Sequence, residues 1–284
     1  MGERHRSAFE RAGYRFAGYV DPNVTANLRF ESAAELARVV DLVVVAAPSE
    51  CHAELLIEIV DAGGRALSEK PLCVSLQEAD ALERRIDPTR VFVAQSERFH
   101  PAIEKLEKAM PREIRQATFR RIGPIRNRTA SPLLELGIHD FDLAARLFGP
   151  LEPISAERLS AERSGTVLTV KLVSSSGVHV TLTSGTTTPE NATREIILVS
   201  DRGTQTIPLI SKPGSTQSGL DSFMESGRDL PLVRQAEALL RAIAGEPSRS
   251  ATFLDGIAAV RLALRAENMA LEVAENLVAS APSC

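Results

Sequence analysis

The chain of 284 residues has no tryptophan, two tyrosines and ten phenylalanines. With aromatics this scarce, a core must rest on Leu, Val, Ile and Ala. Basic runs are also missing. Lys and Arg number 33 against 37 Asp and Glu, a net charge of 33 − 37 = −4. That balance argues against nucleic acid or an anionic membrane as partner. Cysteine is sparse. Cys51, Cys73 and Cys284 are odd in number and lack metal-ligand spacing, which excludes a full disulfide framework and predicts reduced thiols in a cytoplasmic protein. No apolar run is long enough to span a bilayer, and no signal peptide is present. There is no His/Cys/carboxylate cluster with metal spacing, so no metal is expected. A Gly-x-Ser-x-Gly nucleophile turn is absent too.

What remains is an ordinary globular composition, 44% hydrophobic and 25% charged, with length for two domains. Glu3 to Ala12 reads as a helix, then Arg15 to Val20 as a strand ending in Asp21-Pro22. Ser32 can cap a helix from Ala33 to Val40, with Glu35 as its capping-box partner. Asp41 to Ala47 is a continuous apolar run that fits a strand buried on both faces. A helix from His52 to Asp61 leads to strand Arg65 to Leu67. Helix Leu76 to Arg85 then leads to strand Arg90 to Ala94. Such alternation predicts a doubly wound, Rossmann-type parallel sheet over residues 1–97.

The centre of this half is Ser68-Glu69-Lys70-Pro71. Proline holds Lys70 extended. A strand end there places an amine at the edge where α/β sheets bind ligands.

One segment of the pattern is lacking. Dinucleotide-binding units begin with a strand and a Gly-x-Gly-x-x-Gly turn that seats a pyrophosphate on a helix N-terminus. Here the helix comes at once, with Gly2 where the third glycine would stand. A central strand of five residues makes on the order of ten hydrogen bonds, each worth roughly 1 kcal/mol net. That rivals the ~5–15 kcal/mol stability of a whole domain. The expectation is an N-terminally truncated domain whose native start lies upstream of Met1.

Residues 98–284 read differently. Gln95 to Pro101 leads into helix Ala102 to Met110, and Ile114 to Arg121 is a strand. A loop with Arg126 follows, then a helix from about Pro132 to Phe148. Four or five strands come next, between Ile154 and Leu209, with short turns that imply an antiparallel sheet. Two helices close the chain. The expected fold class is thus α/β plus α+β, with an open, mainly antiparallel sheet in the second domain.

Four ordered segments carry a resemblance: Val20-Asp21-Pro22, Ala47-Pro48 to His52, Glu69-Lys70-Pro71, and Gly137-Ile138-His139-Asp140-Phe141-Asp142. With them the chain resembles the Gfo/Idh/MocA oxidoreductase family nearly end to end. The stretches around Ser96 to Ala102 and Arg121 to Pro124 look like members that oxidise UDP-N-acetylhexosamines at the sugar 3-hydroxyl. The resemblance implies a nicotinamide-nucleotide domain and a C-terminal domain whose outer sheet face serves in homo-oligomerisation. It matches Lys70 and His139 to the catalytic lysine and histidine. Glu135 stands where many members have Asp, on the same helix side as His139 and one turn before it. Gly2, Asp21, Pro48, His52, Glu69, Lys70, Gln95 and Arg98 are the expected cofactor contacts. Arg121, Arg126 and His139 are the expected substrate contacts, since guanidinium groups suit a diphosphate.

Alcohol oxidation needs a base near neutral pKa. Burial and a positive nicotinamide push a lysine down from its usual value near 10.4. His139 is assigned the proton and Lys70 a hydrogen bond to the same oxygen; on sequence grounds the two roles are exchangeable. A carboxylate at Asp21 repels a 2′-phosphate, so NAD fits better than NADP. The expected function is an NAD(P)-dependent sugar or polyol dehydrogenase. A non-catalytic relative that binds sugar or serves as an oligomer subunit is the alternative. Intact mass and N-terminal sequencing of the native protein test the start site, with the mature chain expected to extend upstream of Met1. A mature chain beginning at Met1 rejects it.

Overall fold

A computed structural model describes residues 1–24, 27–111, 113–124, 131–161, 165–187, 192–210 and 230–279. The chain forms two compact units. One is Met1–His100 with Ser222–Ala258, and the other is Pro101–Asp221 with Ala259–Cys284. The sequence reading put all of 98–284 in the second domain; the return of Ser222–Ala258 to the first unit departs from it.

In the first unit three short strands, β1 (Val43–Val45), β2 (Ala66–Ser68) and β3 (Val91–Val93), run parallel. A fourth, β10 (Ala251–Thr252), pairs antiparallel with β3, giving the order β1-β2-β3-β10. The helices between them are α1 (Gly2–Arg11), α2 (Ala33–Ala37), α3 (His52–Asp61) and α4 (Leu76–Arg85). Ser32 and Ser75 start α2 and α4 by accepting the Glu35 and Glu78 main-chain N–H at 3.1 Å each. This satisfies donors that a helix N-terminus leaves open. The capping-box carboxylate of Glu35 takes the N–H of Glu31 at 3.0 Å.

Helix α7 (Leu230–Ile243) explains the chain's return. Its Ala236 and Leu239 pack with Phe9 of α1, Leu67 of β2, and Phe92 and Ala94 at β3. Burying a side chain the size of Leu or Phe is worth about 1.5–3 kcal/mol, and here α1 and α7 share that burial. The Arg15–Val20 strand of the sequence reading is not formed. Only a parallel bridge, Tyr19 with Arg29, is present among the described residues. It rests on Tyr19 N–H to Leu28 O at 3.1 Å and Phe30 N–H to Tyr19 O at 2.9 Å. Strand propensity alone does not make a ladder without a paired neighbour.

The second unit is a six-stranded sheet of β4 (Ile114–Pro124), β5 (Leu151–Ala161), β6 (Gly165–Ser174), β7 (His179–Thr187), β8 (Thr193–Ser200) and β9 (Gly203–Pro208). Its order is β5-β6-β7-β4-β8-β9. All neighbours are antiparallel except β4 and β7. The short turns before β7 and β9 show why: two-sided hairpins come readily from such links, whereas a parallel pair needs a long crossover. Helices α5 (Pro101–Lys108) and α6 (Ile138–Phe148) belong here, and α8 (Phe253–Ala279) starts in the first unit and continues into this one. Phe148 of α6 meets Phe119 of β4 edge-on at 6.5 Å. No helix among the described residues is long and apolar enough to cross a membrane.

Tyr14 reports on the α1–α7 contact. Its hydroxyl donates to the Ala236 carbonyl at 3.1 Å, and its ring lies 4.7 Å from that of Phe9. Burial pushes its pKa up to about 12. The folded value exceeds the unfolded one of about 10, so this stabilisation is complete below pH ~10 and is lost as pH rises through the folded value. Tyr14→Phe is expected to cost about 1 kcal/mol in urea unfolding at neutral pH. The gap between variant and wild type should narrow in alkali above the unfolded tyrosine pKa.

Candidate active site

The parallel strands end level with one another. Val45 lies beside Ser68, and Ser68 beside Val93. The segments that follow, Ala47-Pro48, Glu69-Lys70-Pro71 and Ala94-Gln95, therefore leave from one edge, the carboxyl edge where such sheets bind ligands. Glu69 is fixed there by its main-chain N–H, which donates to the Val45 carbonyl at 2.8 Å. His52, at the start of α3 and 1% exposed, lies with Nδ1 2.7 Å from the Pro71 carbonyl and Nε2 2.9 Å from the Ala47 carbonyl. It ties the exit of β1 to the Lys70–Pro71 turn. Pro48 caps the 3-10 turn Ser49–Cys51 that leads into α3.

Other expected contacts carry local structure. The Asp21 carboxylate accepts the Asn23 N–H at 2.8 Å and so closes its own turn. Gln95 is buried, and its carbonyl accepts the Arg98 N–H at 3.1 Å. Arg98 is buried as well. Its guanidinium reaches Asp255 at 3.2 Å and the Arg249 and Ser250 carbonyls at 3.5 Å. The Arg249 guanidinium in turn donates to the Arg98 carbonyl. Arg98 thereby fastens the chain after β3 to the segment entering β10.

Glu69 has a partner that sequence reasoning passed over. His5, on the first turns of α1 and 2% exposed, places Nε2 2.6 Å from Glu69 Oε1. Glu69 Oε2 accepts the Lys70 main-chain N–H at 3.2 Å. Burial raises the Glu69 carboxyl pKa, but the His5 hydrogen bond and the charges of His5 and Lys70 together outweigh it and leave it below the usual carboxylate range. The available signal was position: His5 lies four residues before Phe9, on the face of α1 that packs inward.

In the second unit His139 is the second residue of α6, half-buried. The sequence reading had one continuous α-helix here, with Glu135 one turn before His139. Instead Leu133–Gly137 forms a π turn. Its i→i+5 bonding puts an extra residue in the turn and changes the angular offset between the two side chains. Gly137 lets this turn lie close to β7: a Cβ there would stand 3.0 Å from Ser184 Oγ.

Beside His139, Asp140 holds Arg121 of β4 through two bonds, Nε at 2.9 Å and Nη2 at 2.6 Å, with both groups buried. This forked pair anchors α6 to the sheet. Arg194 lies opposite Arg121 across the strands, and burial brings its pKa down to about 10. Arg126 lies outside the described residues. No group of three or more His, Cys, Asp or Glu able to hold a metal occurs among the described residues.

Known proteins share this plan. Residues 5–96 match the model of an oxidoreductase family with an NAD-binding Rossmann fold, Gfo/Idh/MocA. These residues belong to the Gfo/Idh/MocA oxidoreductase family. Over more of its length the chain is 27% identical to UDP-N-acetylglucosamine 3-dehydrogenase from Acidithiobacillus ferrooxidans, with 92% of each covered. A solved structure of a protein of that name and organism superposes with a TM-score of 0.72 at 22% identity, covering 93% of each chain. Scyllo-inositol dehydrogenase from Lactobacillus casei, solved with NAD(H) and scyllo-inositol bound, gives 0.69 at 15% identity. It covers 86% of this chain and 82% of that one. These structural likenesses establish the shared fold.

The first unit, which holds the residues matched by the NAD-binding family model, fits a nicotinamide nucleotide. The start of α1 has no side-chain cap, and nothing stands within 4 Å of where a Gly2 Cβ would be. The charged and polar groups of Glu69 and Lys70 stand at the sheet edge where a nicotinamide belongs. Asp140→Asn, which leaves the Arg121 guanidinium buried beside a neutral amide, should cost ~3–5 kcal/mol in urea unfolding. The paired change Arg121→Met with Asp140→Leu should recover most of that loss.

Proposed function

We propose that the chain is an NAD(P)-dependent dehydrogenase that moves a hydride between nicotinamide and a secondary hydroxyl of a sugar, and that its substrate is a nucleotide sugar. The observation that carries this reading is the Glu69-Lys70-Pro71 turn, held at the carboxyl edge of the parallel sheet by Val45 and His52. The near full-length similarity to a UDP-N-acetylglucosamine 3-dehydrogenase supports the nucleotide-sugar class over a free polyol.

The bound nicotinamide supplies the hydride acceptor. Gly2, Asp21, Pro48, His52, Glu69, Lys70, Gln95 and Arg98 are the residues assigned to hold the nucleotide. His139 takes the hydroxyl proton as the C–H hydride departs, and Lys70 donates a hydrogen bond to the same oxygen. Glu135 is the carboxylate assigned to act with His139. Arg126 is the guanidinium group assigned to a diphosphate; Arg121, expected beside it, is committed to Asp140 through Nε and Nη2. The carboxylate of Asp21 favours NAD over NADP. A second copy of the chain pairs through the six-stranded sheet, where Ile154 and Leu159 of β5 stand more than half exposed.

The test follows NADH formation with UDP-N-acetylglucosamine or an inositol as substrate. The nucleotide sugar should have the higher kcat/KM. Lys70→Ala and His139→Ala should each lower kcat by roughly 10²–10⁴-fold, the range for losing a positioned acid or base. A preference for inositol refutes the substrate class, and full activity of both variants refutes the assignment.

A further inference from the structure

His5 and Glu69 form a buried pair that the proposed chemistry does not use. Helix α1 brings it about: Phe9, one turn after His5, packs with Leu67 of β2, and this seats His5 against the strand's exit. Nε2 meets Glu69 Oε1 at 2.6 Å, a short hydrogen bond. The other ring nitrogen, Nδ1, is buried with no hydrogen-bond partner. Most buried polar atoms have a partner, so an exception needs a reason. An apolar residue at position 5 would bury no orphan nitrogen, yet it would leave Glu69 without its donor.

Glu69 itself has both oxygens committed. Oε1 takes His5, and Oε2 takes the main-chain N–H of Lys70 at 3.2 Å. The carboxylate therefore fixes the backbone from which the Lys70 side chain departs. It also sets a negative charge close enough to Lys70 for the two to attract. The charged groups acting on this carboxyl are His5 from α1 and Lys70 from its own turn; Val45 of β1 contributes only a carbonyl, to the Glu69 N–H.

We propose that His5 and Glu69 are positioning residues for Lys70. His5 secures the Glu69 carboxylate, and that carboxylate fixes the Lys70 main chain and keeps its amine in the ammonium form. This rests on the reading of Lys70 as the group that hydrogen-bonds the substrate oxygen. Tuning by a neighbouring opposite charge is an ordinary way to set such an amine. It places the acid–base poise of the turn under a residue 64 positions earlier in the chain.

The test observes Lys70 directly. The chain has only five lysines, so reductive methylation with ¹³C label gives few NMR signals, and Lys70→Arg identifies the one sought. Glu69→Gln keeps the side-chain shape and removes the charge. The Lys70 signal should then titrate roughly one pH unit lower than in wild type, as expected on losing a nearby opposite charge. The basic limb of the kcat/KM profile should move the same way. His5→Gln, which keeps an N–H donor to Glu69, should leave the Lys70 signal nearer to wild type than His5→Leu does. An unmoved Lys70 signal in Glu69→Gln overturns the proposal, as does identical behaviour of His5→Gln and His5→Leu. If Glu69→Gln fails to fold, the two His5 variants decide alone. If the signal moves as stated but Lys70→Ala is fully active, the pair stands and the role given to Lys70 falls. If Lys70→Ala is inactive and the signal does not move, that role stands and the pair falls.

Discussion

The level ending of three parallel strands is the constraint on which the first unit depends. Each strand is only three residues long, and register places Val45, Ser68 and Val93 side by side. A slip of one residue would turn every side chain to the opposite face. It would also carry Lys70 away from the exits of β1 and β3. The register is held by burial on both faces and by cross-links beyond the ladder. His52 spans two exits, and Arg98 ties the third to the strand that arrives last in sequence. The functional edge is thus a by-product of where the hydrogen bonding stops.

The second unit solves a different problem. Its helix α6 carries His139 and packs on a sheet face, and the attachment is electrostatic as well as apolar. Phe141 and Phe148 bury the helix, while Asp140 binds Arg121 in a fork that has one good geometry. Apolar packing tolerates small slides; a bidentate pair does not. An ion pair in such a place adds little net stability, because desolvation offsets attraction. What it does fix is the register of α6 on β4 at Arg121.

Much of this was legible in the sequence. The alternation of apolar runs with capped helices marks the parallel sheet, because burial on both faces leaves a continuous apolar signature such as Asp41 to Ala47. The antiparallel character of the second sheet follows from short turns, which cannot connect parallel neighbours. Lys70 was conspicuous because proline follows it at a strand end. What was hidden depends on partners far along the chain. Nothing local in Met1-Gly2-Glu3-Arg4-His5 announces Glu69, and nothing around Arg121 announces Asp140. The π turn at Leu133–Gly137 has no periodic signature distinct from a helix. Arg15 to Val20 has strand-like residues, yet without a laddered neighbour it stays outside the sheet.

The order of strands along the chain also sets a schedule. In the second unit β4 is made first but lies between β7 and β8. Its edges wait for more than fifty residues before a partner is synthesised. The first unit waits longer, since α7 and β10 are translated only after the entire second sheet. A nascent chain halted between the two would carry a finished six-stranded sheet and a parallel sheet with β3 unpaired on one side. Open strand edges are the form most prone to mispairing. On the ribosome, then, the sheet of the second unit is complete before that of the first.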